Sequence, residues 1–255
     1  MDAYSVLAEH YDSLTTDVPY GQFADFYESL LKLYGVEAKT VLDLACGTGA
    51  MTYLLAERGF EMIGVDSSSD MLSVAAQKSV TQKSEAQKSG NTPIQPVFIC
   101  QRMEELDLYG TVDAAICTLD GMNNIHPKSI KEVFRRVHLF LEPGGLFIFD
   151  INTPLKLRNM DGAIYLDETE DVFCVWRNEF IESENLCRFA IDIFAKTGEL
   201  WKRGSEDQVQ YAHSPGELAQ LLEEVGFTDV RVMGELTVSV PSPDEQRVFI
   251  AAQKE

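Results

Sequence analysis

A chain of 255 residues with 45% hydrophobic and 24% charged residues is long enough to bury a large α/β core, and its ordinary glycine and proline content excludes a fibrous or disordered polymer. Formal net charge is −20 and evenly spread, with 21 acidic against 11 basic residues in 1–150 and 20 against 10 in 151–255. No basic half exists to neutralise a phosphate backbone, so nucleic acid is disfavoured as a partner.

In chain order, a leading helix is expected at 21–34. Short runs rich in Val, Ile and Phe at 39–45, 61–66, 94–100, 112–118 and 144–151 then alternate with amphipathic stretches at 49–59, 68–80 and 127–141. This is the pattern of parallel strands joined by crossover helices. Gln77-Lys-Ser79 recurs as Gln82-Lys-Ser84 and Gln87-Lys-Ser89, a five-residue period that matches neither helix nor strand and reads as an exposed, partly mobile extension. Glu142-Pro-Gly-Gly145 makes a tight turn before the last of these strands.

After Asp150 the rhythm changes to three period-two runs, 171–181, 185–196 and 199–211, with turns at Ser183-Glu-Asn185 and Lys196-Thr-Gly198 that predict antiparallel hairpins. Ser214-Pro-Gly-Glu217 has the form of a capping box, opening a helix that runs to Val225 and stops at Gly226. Strands at 228–233 and 247–253 complete the count. The expected fold is a doubly wound, seven-stranded, mostly parallel α/β sheet, with 1–154 and 213–255 forming the core and 155–212 a small antiparallel β insertion.

Five cysteines, 46, 100, 117, 174 and 187, are odd in number and never spaced as a Cys-x-x-Cys pair. That argues against a disulfide framework and a zinc ribbon, and no metal is expected. The first ten residues lack the basic and then apolar run of a signal peptide, and no apolar stretch reaches spanning length. A cytoplasmic protein with no membrane partner is expected.

The chemistry concentrates where the first strand ends. Asp43 runs into Ala45-Cys46-Gly47-Thr48-Gly49, small residues that suit a sharp turn and let a ligand approach the backbone closely. The helix that follows offers its positive dipole end to an anion. Asp66 ends the second strand 17 residues after Gly49, where a carboxylate can accept hydrogen bonds from both hydroxyls of a ribose. A dinucleotide loop would need a third small residue near position 52, which is Thr52, and no Gly-Lys-Ser/Thr follows to make a Walker loop.

Val41-Leu-Asp-Leu-Ala-Cys-Gly-Thr-Gly49 resembles the first motif of the class I, Rossmann-like, S-adenosylmethionine-dependent methyltransferases, and Gly64-Val-Asp-Ser-Ser-Ser-Asp-Met71 resembles their second. Leu141-Glu-Pro-Gly-Gly145 and the late helix ending Val225-Gly-Phe227 are similar to their later motifs. Leu7-Ala-Glu-His-Tyr-Asp12 with Asp17-Val-Pro-Tyr20, and Cys117-Thr-Leu-Asp-Gly-Met-Asn123, narrow the likeness to small bacterial members. The resemblance implies S-adenosyl-L-methionine as cofactor, with Tyr11 and Tyr20 over its methionine end, Asp43 and Gly47 along its amino acid moiety, and Ala45, Cys46, Gly49, Ser67, Met71, Leu119 and Asp120 around it. In the third-strand motif Cys100-Gln101-Arg102-Met103 the family usually carries an aspartate where Arg102 stands. Arginine is donor-only, so adenine recognition there falls to Gln101 or a backbone carbonyl, with Met103 against the adenine face.

Methyl transfer from a sulfonium is an in-line displacement that needs positioning and desolvation and no enzyme nucleophile. His126 is the foremost candidate for a base, with a helix cap as its competing role, and Tyr4 is a weaker one. Asn123 and Trp176 are candidates for contact with the acceptor, with the core of the antiparallel insertion, favoured by the alternation, as the competing role for Trp176. The expectation is a methyltransferase acting on a small-molecule acceptor, with N-methylation favoured over O-methylation, as a monomer or homodimer. The alternatives are a cofactor-binding regulatory protein that has lost catalysis and a methyltransferase acting on RNA or protein.

Overall fold

The computed structural model describes residues 7–89 and 95–255, those of 80–89 through their backbone alone. In chain order come α1 (Tyr11–Leu14), α2 (Tyr20–Leu33), β1 (Thr40–Leu44), α3 (Ala50–Glu57), β2 (Glu61–Asp66), α4 (Ser69–Ser89), β3 (Val97–Cys100), β4 (Val112–Cys117), α5 (Pro127–Phe140) and β5 (Leu141–Asn152). Then follow α6 (Pro154–Asn159), β6 (Ile164–Glu168), β7 (Val172–Ile181), β8 (Leu186–Thr197), β9 (Leu200–Tyr211), α7 (Pro215–Val225), β10 (Phe227–Met233) and β11 (Arg247–Lys254).

Seven strands form one sheet in the order β10-β11-β5-β4-β1-β2-β3. β1 to β5 pair in parallel, and β11 enters antiparallel between β5 and β10. Central strands such as Val112-Asp-Ala-Ala-Ile-Cys117 are apolar with little alternation because helices cover both faces. On one face α5 and α7 bury Ile130, Phe134 and Leu222 against Phe147 and Phe149. On the other, α2 sets Phe23, Phe26 and Tyr27 around Phe249. Each such fully buried apolar side chain contributes about 1.5–3 kcal/mol.

The antiparallel strands form a second sheet in the order β6-β7-β8-β9. Its inner face carries Val172, Cys174, Cys187, Phe189 and Ile191, which pack with Leu7 and Leu157. The turns fall where the sequence predicts them, with Asn185 at φ 51° and Gly198 at φ 64° supplying the left-handed residues. β6 and α6 have no counterpart in the sequence reading. β6 is a five-residue edge strand with a mostly exposed surface, and α6 is six residues long, so neither shows an apolar period.

One expectation is overturned. The Gln-Lys-Ser repeat is not an extension outside the helix, because α4 continues through it to Ser89. Gln, Lys, Ala and Glu are fair helix formers, and no glycine or proline interrupts them between Ser69 and Ser89. Propensity therefore carries the helix where no apolar stripe announces it.

Candidate functional site

In an open parallel sheet the strand order reverses at one point, and the crevice beyond the carboxyl ends of the strands there receives ligands. Here the reversal lies between β1 and β4. A cavity of about 670 Å³ opens at that place, walled by the ends of β1, β2, β3 and β4 and, on the far side, by Asp207, Gln208, Val209 and Tyr211 of β9.

Its floor is the glycine turn. Ala45, Gly47 and Gly49 all have positive φ, at 53°, 54° and 77°. A Cβ on Gly47 would meet nothing within 4 Å, whereas one on Gly49 would lie 3.0 Å from Phe98 and 3.2 Å from Tyr53. Gly47 thus keeps the backbone open toward the cavity. Gly49 is small for the packing behind the turn and is absent from the cavity wall, which corrects its expected place around a ligand.

Asp66 holds this turn in shape. One carboxylate oxygen accepts the N–H of Gly47 at 2.8 Å and the other accepts the N–H of Ser68 at 2.8 Å. A carboxylate has about four acceptor positions, so two remain for the cavity. Burial raises its pKa, and the backbone N–H groups of Ser68 and Gly47 oppose that shift.

Asp43 is almost completely buried and accepts the Thr52 hydroxyl at 2.5 Å. Burial pushes its carboxyl up to about 7 despite that bond, with the Asp66 charge adding to the rise. Thr52, at the position where a dinucleotide loop would carry glycine, is thus the partner of Asp43. Tyr20, which burial pushes up to about 12, stays a neutral phenol on the same wall as Tyr11. The Asp12 carboxylate accepts the Thr48 hydroxyl at 2.6 Å and pairs with Lys78 at 2.6 Å, while Lys78 also donates to the Thr48 carbonyl at 3.0 Å. These bonds tie α1 and α4 to the turn.

Of the residues singled out from sequence, Tyr11, Tyr20, Asp43, Ala45, Cys46, Gly47, Asp66, Ser67, Met71, Gln101, Arg102, Met103, Leu119 and His126 all reach this one cavity. Four others do not, and Tyr4 lies outside the described residues. Asp120 turns away from the cavity into an ion pair with Arg247 at 2.8 Å and accepts the Gln210 side chain. Asn123 is fully buried, and its amide bridges Asn152 and the Tyr211 carbonyl, so it joins β5 to β9. Trp176 sits on the inner face of the second sheet and donates to Asp167 at 2.7 Å. Gly49 is the fourth. The Asp120, Asn123 and Trp176 side chains are placed by their own partners and packing, and Gly49, which has no side chain, is placed by its closeness to Phe98 and Tyr53.

His126 reaches the cavity and also caps α5, its Nδ1 accepting the N–H of Lys128 at 3.1 Å. That bond engages the Nδ1 lone pair, so the neutral ring carries its proton on Nε2.

Around the third strand the Gln101 amide is occupied, exchanging bonds with both backbone groups of Asp107. Arg102, largely exposed at the cavity rim, pairs with Glu104 at 2.9 Å, and the Glu104 side chain is only 17% exposed and lines the cavity. Sequence reasoning missed Glu104. Its signal was the short helical turn after Met103, which brings a carboxylate back beside the strand end.

A glycine turn with a carboxylate ending the next strand, at the switch point of a seven-stranded sheet, defines the class of Rossmann-like S-adenosylmethionine-dependent methyltransferases. Comparison with known proteins bears on the same point. The model of a methyltransferase domain matches residues 41–145. "Putative methyltransferase YqeM" of Bacillus subtilis (strain 168) is 32% identical over 98% of this chain and 97% of its own length. A crystal structure of an S-adenosylmethionine-dependent methyltransferase from Clostridium acetobutylicum ATCC 824 is similar with a TM-score of 0.81 and 27% identity, over 99% of both chains. The sugar N-methyltransferase KedS8 from Streptoalloteichus sp ATCC 53650 shares the fold, with a TM-score of 0.75 and 20% identity over 94% of this chain and 90% of its own. The chain belongs to the S-adenosylmethionine-dependent methyltransferases and is close to bacterial members of that family.

Proposed function

We propose that the protein transfers the methyl group of S-adenosylmethionine to a neutral amine of a small molecule. The observation that carries this reading is the state of the cavity wall, where each carboxylate has a protein partner and the acceptor positions left on Asp43, Asp66 and Glu104 are the ones assigned to the cofactor. Asp43 is held by Thr52, Asp66 by two backbone N–H groups, Glu104 by Arg102 and Asp207 by Arg188. His126 has its Nδ1 lone pair in a helix cap. A hydroxyl acceptor needs a base to take its proton, whereas an unprotonated amine attacks without one.

The residues divide the cavity as follows. Asp66 accepts from the ribose hydroxyls, and Glu104 accepts from the adenine amino group in the role that Arg102 cannot fill. Asp43 and the open backbone at Gly47 receive the amino acid end, and the faces of Tyr11 and Tyr20 suit the sulfonium through its attraction to the ring quadrupole. S-adenosylmethionine supplies a methyl group on a good leaving group. The protein contributes alignment and exclusion of water, effects of about 7–11 kcal/mol where orientation is complete.

Residues 155–212 act as the insertion that closes the acceptor side, through the β9 edge. The cavity volume of about 670 Å³ suits a cofactor with a small acceptor better than a macromolecule. That KedS8 is a sugar N-methyltransferase supports an amine acceptor by analogy of fold.

The test pairs calorimetry with turnover. S-adenosylhomocysteine should bind, and release of that product should be faster with amino compounds than with their hydroxyl analogues. Binding without turnover on any small amine would replace the proposal with a cofactor-binding regulatory protein. Product release only on adding RNA or protein would replace it with a macromolecular methyltransferase.

A further inference from the structure

The loop just beyond β4, which brings Leu119 to the cavity, contains two consecutive residues in the left-handed region, Leu119 at φ 57° and Asp120 at φ 54°. A residue with a Cβ rarely adopts that conformation, and it persists only where the surroundings over-determine it. Leu119 lines the cavity together with Thr118 and Gly121, while Asp120 faces the opposite way.

The surroundings that impose it converge on Asp150 at the end of β5. This fully buried carboxylate accepts the N–H of Leu119 at 2.8 Å with one oxygen and the N–H of Asp120 at 3.0 Å with the other. Burial pushes Asp150 up from the ordinary carboxylate range, and the Arg247 guanidinium opposes that shift. Arg247, on β11, bonds Asp150 through Nη1 and Asp120 through Nη2, the latter at 2.8 Å, and its Nε lies 3.9 Å from Glu235. The second oxygen of Asp120 accepts the Gln210 side chain of β9 at 2.5 Å, and Gln210 accepts from Asn152 at 2.9 Å.

We propose that Arg247 is a positioning residue for the cofactor site: by neutralising Asp120 and Asp150 together it lets Asp150 keep both loop N–H groups and so holds Leu119 against the bound cofactor. This rests on the reading of the cavity as the S-adenosylmethionine site. Without the guanidinium, the two carboxylates keep only Lys156 as a neighbouring cation among the described residues, and its ammonium is bonded to Asn152 rather than to either of them, so one of them moves or takes a proton. Either response weakens the grip on the loop N–H groups and lets Leu119 relax away from the left-handed region. Because Gln210 meets the same carboxylate, the clamp also sets the β9 edge against the loop.

The experiment measures S-adenosylhomocysteine affinity by calorimetry, well below the Tm of each variant. Arg247→Met should weaken binding by about tenfold or more. Adding Asp120→Gly to that variant removes one carboxylate and places at position 120 a residue that enters positive φ without a Cβ penalty, so affinity should recover to within about threefold of the original. A role in overall stability alone would lower Tm while leaving the affinity of the folded protein unchanged, and would produce no such recovery. Arg247→Lys keeps the charge and serves where the methionine variant does not fold. One ammonium bridges two carboxylates poorly, so its affinity should fall by about threefold or more. If the original chain binds normally and the variants bind within about twofold of it, the clamp is wrong and the cavity reading stands. If the original chain itself fails to bind S-adenosylhomocysteine, the cavity reading falls and the clamp with it.

Discussion

Asp43 lies one residue before the end of β1 and Asp66 ends the neighbouring β2, and their surroundings give them different partners. Burial raises the pKa of both, but at Asp66 two backbone N–H groups oppose the rise, and loss of its side chain removes charge-assisted hydrogen bonds of about 1.5–3 kcal/mol each. Asp66→Ala should therefore weaken S-adenosylhomocysteine binding by about tenfold or more in calorimetry, and unchanged affinity would refute the ribose assignment. Asp43 is held at about 7 when folded against an ordinary value of 3.8, so between those values the folded protein keeps a proton that the unfolded chain has lost. Its contribution to stability is accordingly greatest below about pH 4, falls as pH rises toward about 7 and is level above that. Asp43→Asn should remove this slope, seen as a difference between the pH series of melting temperatures of the two proteins. At His126 the cap predicts that alanine costs about 1 kcal/mol of stability while the pH dependence of kcat/KM continues to follow the acceptor amine. Loss of a kinetic group near the histidine range in the alanine variant would make it a base after all. These residues were legible in unequal measure. Asp43 and Asp66 stand in local motifs, whereas the competition between cap and base at His126 needed the ring's partner to be seen.

Among the elements, most strands and helices of the parallel sheet follow their predicted spans closely, because apolar runs, Pro127 and Pro215 at the first helical positions and the left-handed Gly226 are all local signals. α4 is the exception, running on through a repeat whose period looked wrong for a helix. Its significance lies at Lys78, which joins Asp12 of α1 to the Thr48 carbonyl. Both partners are partly exposed, at 30% and 44%, so the pair is worth no more than about 1 kcal/mol after solvent screening. Lys78→Met should accordingly speed S-adenosylhomocysteine release by about two- to fivefold in stopped-flow displacement, through a looser α1 over the turn. An unchanged release rate would mean that Tyr11 and Tyr20 hold this segment without the ion pair.

For the whole molecule, a net charge of −20 means that self-repulsion opposes the compact state and that polyanions are repelled. Raising salt from about 0.02 M to about 0.3 M shortens the Debye length severalfold and should raise Tm, while structured RNA should give no gel shift at the higher salt. A fall in Tm would show that ion pairs such as Arg177 and Arg203 on Asp192 outweigh the net repulsion.

Sequence by itself determined the doubly wound, mostly parallel character of the core, the hairpins of the second sheet, the glycine turn and the carboxylate after it. Each of these depends on residues within a few positions of one another, on periodicity or on turn chemistry. Only the tertiary structure decided that Asp120 and Asn123 serve as internal braces, that Trp176 belongs to a sheet core and that Glu104 stands beside the cavity. The physical reason is range. Asp120 meets Arg247 across 127 positions of chain, and Asn123 meets Tyr211 across 88. A side chain's partner at such distance is chosen by how strands stack, which no local pattern records.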